Sequence, residues 1–168
     1  MGEQLKLKIL VFSDSHCVRH FMEVCMETIR PDAVIHLGDM VRDGEKLAQL
    51  YPHIRFFQVA GNCDRGRVLP DFPEVLVEKL DGVTIYMTHG HLQGVKLFRD
   101  KLILEGLGCG ADVILYGHTH EPDCRRLPEG CWLMNPGSVG CGGTAGMIVT
   151  KAGAAECRII RQRDLEEI

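Results

Sequence analysis

The chain has 168 residues, a formal net charge of −4, 45% hydrophobic and 25% charged residues, which suits one soluble globular domain spanning 1–168 with a substantial core. The acidic balance leaves no basic footprint, so extended nucleic-acid binding is excluded while local binding of a short nucleotide is not. No signal-peptide pattern and no membrane-length apolar run occurs, so the expectation is a cytoplasmic protein with no membrane partner.

In chain order, Leu5 to Phe12 is a short apolar run that predicts a buried strand. Val18, Phe21, Met22, Cys25 and Ile29 share one helical face, and Pro31 ends that helix. Ala33 to Leu37 predicts a second strand, a short helix follows around Glu45 to Tyr51, and Ile54 to Val59 predicts a third strand. This β-α-β-α-β order predicts parallel strands with right-handed crossovers. The second half changes character. Val75 to Leu80 and Val83 to Met87 flank Asp81-Gly82, a hairpin signal. A helix from Val95 to Leu107 and a strand from Val113 to Tyr116 come next. Two further hairpins follow, Cys124 to Leu127 with Cys131 to Met134, and Met147 to Thr150 with Ala155 to Ile160. The pattern predicts an α/β protein of mixed sheets with helices on their outer faces. Residues 161–168 read as a charged, solvated tail.

Eight cysteines form no C-x-x-C pair, which argues against a zinc knuckle or redox motif and for reduced thiols. The chemistry lies elsewhere. Asp14-Ser15-His16, Gly38-Asp39, Gly61-Asn62-Cys63-Asp64, Thr88-His89-Gly90-His91 and Gly117-His118-Thr119-His120 each close an apolar, strand-like run. Any one of them reads as a turn. Five in succession would bring Asp, His and Asn donors to one end of a sheet if the runs before them are parallel or barrel-like neighbours, a set suited to divalent transition metals. Asp14 and His16 share a face if the extended geometry continues, and His118 and His120 can face different ions if their loop bends. His36 reads as a core or supporting residue, while His20 and His53 belong on a helix face and at a loop end. Arg65, Arg67, Gln93 and Gly94 are candidates for touching a substrate, with a solvated loop as the alternative for the arginines.

The order D-x-H, G-D, G-N-x-D, H-G-H and G-H-x-H resembles the calcineurin-like metallophosphoesterases over Lys8 to Val139. Gly-Asn-Cys-Asp, Thr-His-Gly-His and Asn135-Pro136-Gly137-Ser138 resemble its small bacterial and archaeal phosphodiesterases. The resemblance implies a four-layer α/β/β/α sandwich of two mixed sheets flanked by helices, the metallophosphoesterase fold. It also implies a metal-dependent phosphodiesterase with two divalent ions. Mn²⁺ is the expected metal, and Fe, Ni or Zn suit the same ligands. One ion would lie among Asp14, His16, Asp39 and His120, and the second among Asp39, Asn62, His89 and His118. Asp39 would bridge, and a bridging hydroxide would attack phosphorus in line. His91 would contact phosphate or transfer a proton, and Asp64 would support the loop of Asn62. Phosphoesterases of this superfamily carry His where this chain has Cys63, so the general acid is left open. A small phosphoester is the expected substrate, and a homodimer is expected from the subfamily. The alternative from another class is a scaffold of the retromer-subunit type, whose resemblance stops at the His of D-x-H, a position this chain fills with His16. A structural metal site is a further alternative, although such sites are Cys-rich and closed.

Overall fold

The computed structural model describes residues 6–64, 66 and 72–167. The first half alternates strands and helices: β1 (Lys8–Phe12), α1 (His20–Ile29), β2 (Ala33–His36), α2 (Val41–Leu50) and β3 (Arg55–Gln58). After a short 3₁₀ turn, Asn62–Asp64, the hairpin β4 (Val75–Leu80) and β5 (Val83–Thr88) forms as Asp81-Gly82 predicts. A second 3₁₀ turn, His91–Gln93, leads to α3 (Asp100–Gly108), β6 (Val113–Leu115), β7 (Asp123–Arg126) and β8 (Trp132–Asn135). The chain closes with α4 (Val139–Gly142), β9 (Thr144–Lys151), β10 (Ala154–Arg161) and α5 (Gln162–Leu165).

One sheet runs β10-β9-β1-β2-β3 and the other β4-β5-β6-β8-β7, and both mix parallel and antiparallel pairs. In β1 the period-2 alternation decides the layering. Ile9 and Val11 face the core between the sheets, with Ile35, Ile85, Met87, Val113 and Ile148. Leu10 and Phe12 face outward and meet Phe21, Met22, Cys25 and Ile29 of α1. Both faces of β1 are therefore buried, which is why its sequence is a continuous apolar run. Tyr86, Ile114 and Leu133 cover the other outer face with Leu102 of α3. The layers are α/β/β/α, as the resemblance implies.

Four expectations are corrected. Val18 precedes α1 and is 45% exposed, so it belongs to no buried face. Helix α2 begins at Val41 rather than near Glu45, because the Asp64 carboxylate accepts the N–H groups of Met40 and Val41 at its start. Helix α3 starts at Asp100 rather than Val95. Residues 94–99 turn about Gly94 instead, whose carbonyl accepts the N–H groups of Leu97 and Phe98. Within the expected tail, Arg161 completes β10, and Leu165 of α5 is buried in the outer core beneath α1. Ile168 lies outside the described residues.

Candidate metal centre

β1, β2 and β3 run parallel in the first sheet, and β5 and β6 run parallel in the second. The five polar clusters leave their carboxyl ends and meet at one edge of the sandwich. Loop-to-loop hydrogen bonds tie them together: Asp14 N–H to Gly38 O at 3.0 Å, Gly117 N–H to His89 O at 2.9 Å, and His118 N–H to Asp14 Oδ2 at 3.2 Å.

The loops do not continue their strands. Of the ten non-glycine residues with positive φ among the described residues, seven lie here: Asp14, His16, Cys17, Asp39, Met40, His118 and His120. Asp14 and His16 thus converge by left-handed turns and not by the extended geometry expected of them. Each such residue costs about 1–2 kcal/mol, so the surroundings must hold it. Gly38 and Gly61 show how close the packing is. A Cβ on Gly38 would lie 2.5 Å from Gly61 N, and one on Gly61 would lie 2.6 Å from Asp39 N. The two glycines let the Asp39 and Asn62 loops touch backbone to backbone.

Two groups of donors result. The ligating atoms of Asp14, His16 and His120 lie within 4.8 Å of one another, and so do those of Asp39, His89 and His118. His120 Nε2 is 3.1 Å and His16 Nε2 3.9 Å from Asp14 Oδ1. His89 Nε2 joins the groups, 3.5 Å from Asp39 Oδ2 and 3.8 Å from Asp14 Oδ1. Asn62 Oδ1 adds a neutral oxygen 3.1 Å from the same nitrogen. His91 belongs to neither group. Its ring lies 5.5 Å from that of His89 and 6.2 Å from that of His118, with Nε2 4.0 Å from Glu74.

The residues fit divalent cations. His89 Nδ1–H donates to Leu37 O at 2.8 Å, which turns a bare Nε2 lone pair toward oxygens of Asn62 and Asp39. Lone pairs facing one another repel unless a cation or a proton lies between them. His16 Nε2 is buried and has no hydrogen-bond partner. Among the described residues no Lys or Arg pairs with Asp14, Asp39, Asp43 or Asp64, although Asp14, Asp39 and Asp43 are buried. Buried carboxylates require a compensating cation.

The titration shifts tell the same story. Burial resists charge on His89, but the carboxylates of Asp39 and Asp14 outweigh it and raise its pKa. Burial likewise resists charge on Asp39, yet His89 and the Cys63 N–H hold its carboxyl well below the usual range. Burial, with His89 and Lys96 nearby, pushes His118 down to about 4. His118 is therefore neutral at pH 7, the form that can donate a lone pair to a metal.

The surrounding residues tie the loops together. Asp64 accepts four backbone N–H groups, those of Asp39 and Gly61 on Oδ2 and of Met40 and Val41 on Oδ1, at 2.8 to 3.1 Å. It supports the Asp39 loop as much as that of Asn62. Asn135 donates to Gly117 O and Thr119 Oγ1, and Ser138 donates to Asp14 O. His36 is fully buried, accepts the Gly38 N–H on Nδ1 and so donates from Nε2 to Ser15 Oγ at 3.1 Å. His20 and His53 are exposed and take no part. Gln93 is buried and bonded to Glu105 and Thr88, so it is a positioning group and not one offered to substrate. Arg65 and Arg67 lie outside the described residues. Sequence reasoning missed Ser13, whose hydroxyl donates to Asp14 Oδ2, and Ser15 and Asp43, which bond to each other. Their only sequence signal is proximity to the clusters.

Burial pushes the His36 pKa from 6.5 down to about 4, which makes stability depend on pH. The unfolded chain takes up this proton first as pH falls below 6.5. The contribution of neutral His36 is therefore complete above pH 6.5 and lost on descent toward pH 4, about 3 kcal/mol in all. Urea unfolding of metal-free wild type and His36→Gln at both ends of that window checks this. Equal losses in the two proteins would remove His36 as the cause.

Residues 7–152 match the calcineurin-like phosphoesterase superfamily domain, and the chain belongs to that family. It is 31% identical over 136 residues to the probable metallophosphoesterase YsnB of Bacillus subtilis, covering 79% of this chain and 75% of that one. It is 29% identical over 157 residues to the phosphodiesterase YfcE of Escherichia coli K12, covering 79% of each. In fold it is similar to vacuolar protein sorting 29 of Cryptosporidium parvum, with a TM-score of 0.72 at 16% identity over 92% of this chain and 97% of that one. Among the described residues no helix is long and apolar enough to cross a membrane.

Proposed function

We propose that the protein is a metal-dependent phosphodiesterase acting on a small phosphoester. The observation that carries this reading is the pair of adjoining donor groups, Asp14/His16/His120 and Asp39/His89/His118, within one cluster of loops. Asp14, His16, Asp39 and His120 would hold one divalent ion, and Asp39, Asn62, His89 and His118 a second, with Mn²⁺ the first metal to test. Such ions, when bound, supply Lewis acidity toward phosphoryl oxygens and lower the pKa of water.

The chain's own residues do the rest. The Leu37 carbonyl fixes the His89 tautomer, and the backbone grip of Asp64 keeps the loops of Asp39 and Asn62 in register. His91 stands beside the His89 and His118 rings, where it can contact phosphate or pass a proton. Cys63 is exposed at the mouth of the site. Its thiol is raised in pKa by desolvation, by its hydrogen bond to Asp39 and by the neighbouring carboxylates, so it stays protonated and donates weakly. Cys63→His is expected to raise the rate on esters with poor leaving groups about 10-fold or more relative to activated esters. A flat ratio would show that position 63 does not limit leaving-group protonation.

Hydrolysis of a panel of phosphomonoesters and phosphodiesters, cyclic nucleotides included, by metal-stripped and Mn²⁺-loaded protein tests the proposal. Metal-dependent turnover of a diester is expected. Absence of turnover on every member would sink it in favour of the second reading, a binding scaffold. That reading draws on the likeness to vacuolar protein sorting 29 and on the exposed apolar side chains Leu97, Phe98 and Leu104.

A further inference from the structure

Asp43 lies four residues beyond Asp39, in the first turn of α2, and only 3% of it is exposed. No basic side chain among the described residues pairs with it. Among the described residues both hydrogen bonds to its side chain converge on one oxygen, and both come from the neighbouring loop: Ser15 Oγ–H at 2.7 Å and Cys17 N–H at 2.8 Å. These two donors flank His16. The segment they hold is left-handed, with φ of 46° at His16 and 68° at Cys17, a backbone that side chains rarely adopt unaided. Ser15 Oγ is itself oriented, because it accepts from His36 Nε2–H, and the His36 ring accepts the N–H of Gly38, the residue before Asp39. The chain of contacts runs Asp43, Ser15, His36, Gly38. It links the loop of Asp14 and His16 to that of Asp39 without passing through either donor group.

We propose that Asp43 and Ser15 are positioning residues that hold His16 in place and so set the affinity of the Asp14/His16/His120 half of the centre. The inference rests on the metal-centre reading above. Asp43's direct contacts lie on one half only, and the path to the Asp39 loop runs through two further side chains. The groups gripped by Asp43 lie on either side of His16, whereas the Asp39/His89/His118 half is supported by Asp64 and Leu37. The work is done by an accepting oxygen at one point, so an amide that keeps this oxygen should substitute for the carboxylate.

Mn²⁺ titration calorimetry on the metal-stripped full chain tests this. Wild type is expected to bind two ions. Asp43→Ala and Ser15→Ala should each weaken one site by about 10- to 100-fold and leave the other unchanged, the loss that follows removal of a group supporting a ligand. Asp43→Asn and Ser15→Thr, which keep the bonding atoms, should restore it. In the Asp43→Ala/His16→Ala double variant the affected site should be no weaker than in His16→Ala alone, since Asp43 acts through His16. Should Asp43→Ala not fold, Ser15→Ala carries the same comparison. Unchanged binding, or equal weakening of both sites, overturns the positioning role and leaves the centre standing. A wild type that binds no Mn²⁺ overturns the centre and the inference with it.

Discussion

Asp39→Asn is expected to abolish metal-dependent phosphoester hydrolysis and to weaken divalent-ion binding by more than about 100-fold, beyond the loss caused by removing a supporting group. Asp39 is 3% exposed, its Oδ1 accepts the Cys63 N–H at 2.9 Å, and its Oδ2 faces His89 Nε2 at 3.5 Å. The amide has the same size and can retain the Cys63 bond through its oxygen, so the loop survives and the charge alone is lost. Metal titration calorimetry and kcat/KM on a diester measure the two effects. Full activity in this variant would show that Asp39 is not the shared ligand.

Asp64→Ala should cost about 3–5 kcal/mol of unfolding free energy in the metal-free protein. The carboxylate accepts four backbone N–H groups drawn from two loops and a helix start, and alanine leaves all four without an acceptor. Each unsatisfied buried donor costs about 1–3 kcal/mol, reduced where water can reach it. Urea unfolding of wild type and variant, with ions removed, gives the difference directly. A loss below about 1 kcal/mol would mean that water replaces the carboxylate at these donors.

Asp64 also shows why some of the site could be read from sequence and some could not. Its place two residues after Asn62 reads as support for that loop. The other half of its work, at Asp39 and the start of α2, joins positions 25 apart and has no local signature. Asp43 is a harder case. An acidic residue in the first turn of a helix reads as a favourable charge near the helix dipole, and only the fold places it against Ser15. Val18 differs for a related reason: it fits the helical period, but its N–H closes the turn that begins at Ser15, and α1 starts only at His20.

Period-2 and period-3.6 patterns are local properties, and the buried faces of β1, β2 and α1 are written in them. The hairpin at Asp81-Gly82 and the five donor clusters are equally local, each a few residues long at the end of an apolar run. By itself, therefore, the sequence determined the strands, the mixed sheets and which polar residues close the strands. Tertiary structure alone decided how those donors divide. His120 joins Asp14 and His16 from a loop more than 100 residues away, and left-handed turns that the period does not encode bring the three together. Distant carboxylates hold those turns: Asp43 accepts the N–H of Cys17 beside His16, and Asp64 accepts the N–H of Asp39. Their partners are chosen by the packing of two sheets and not by neighbours in the chain.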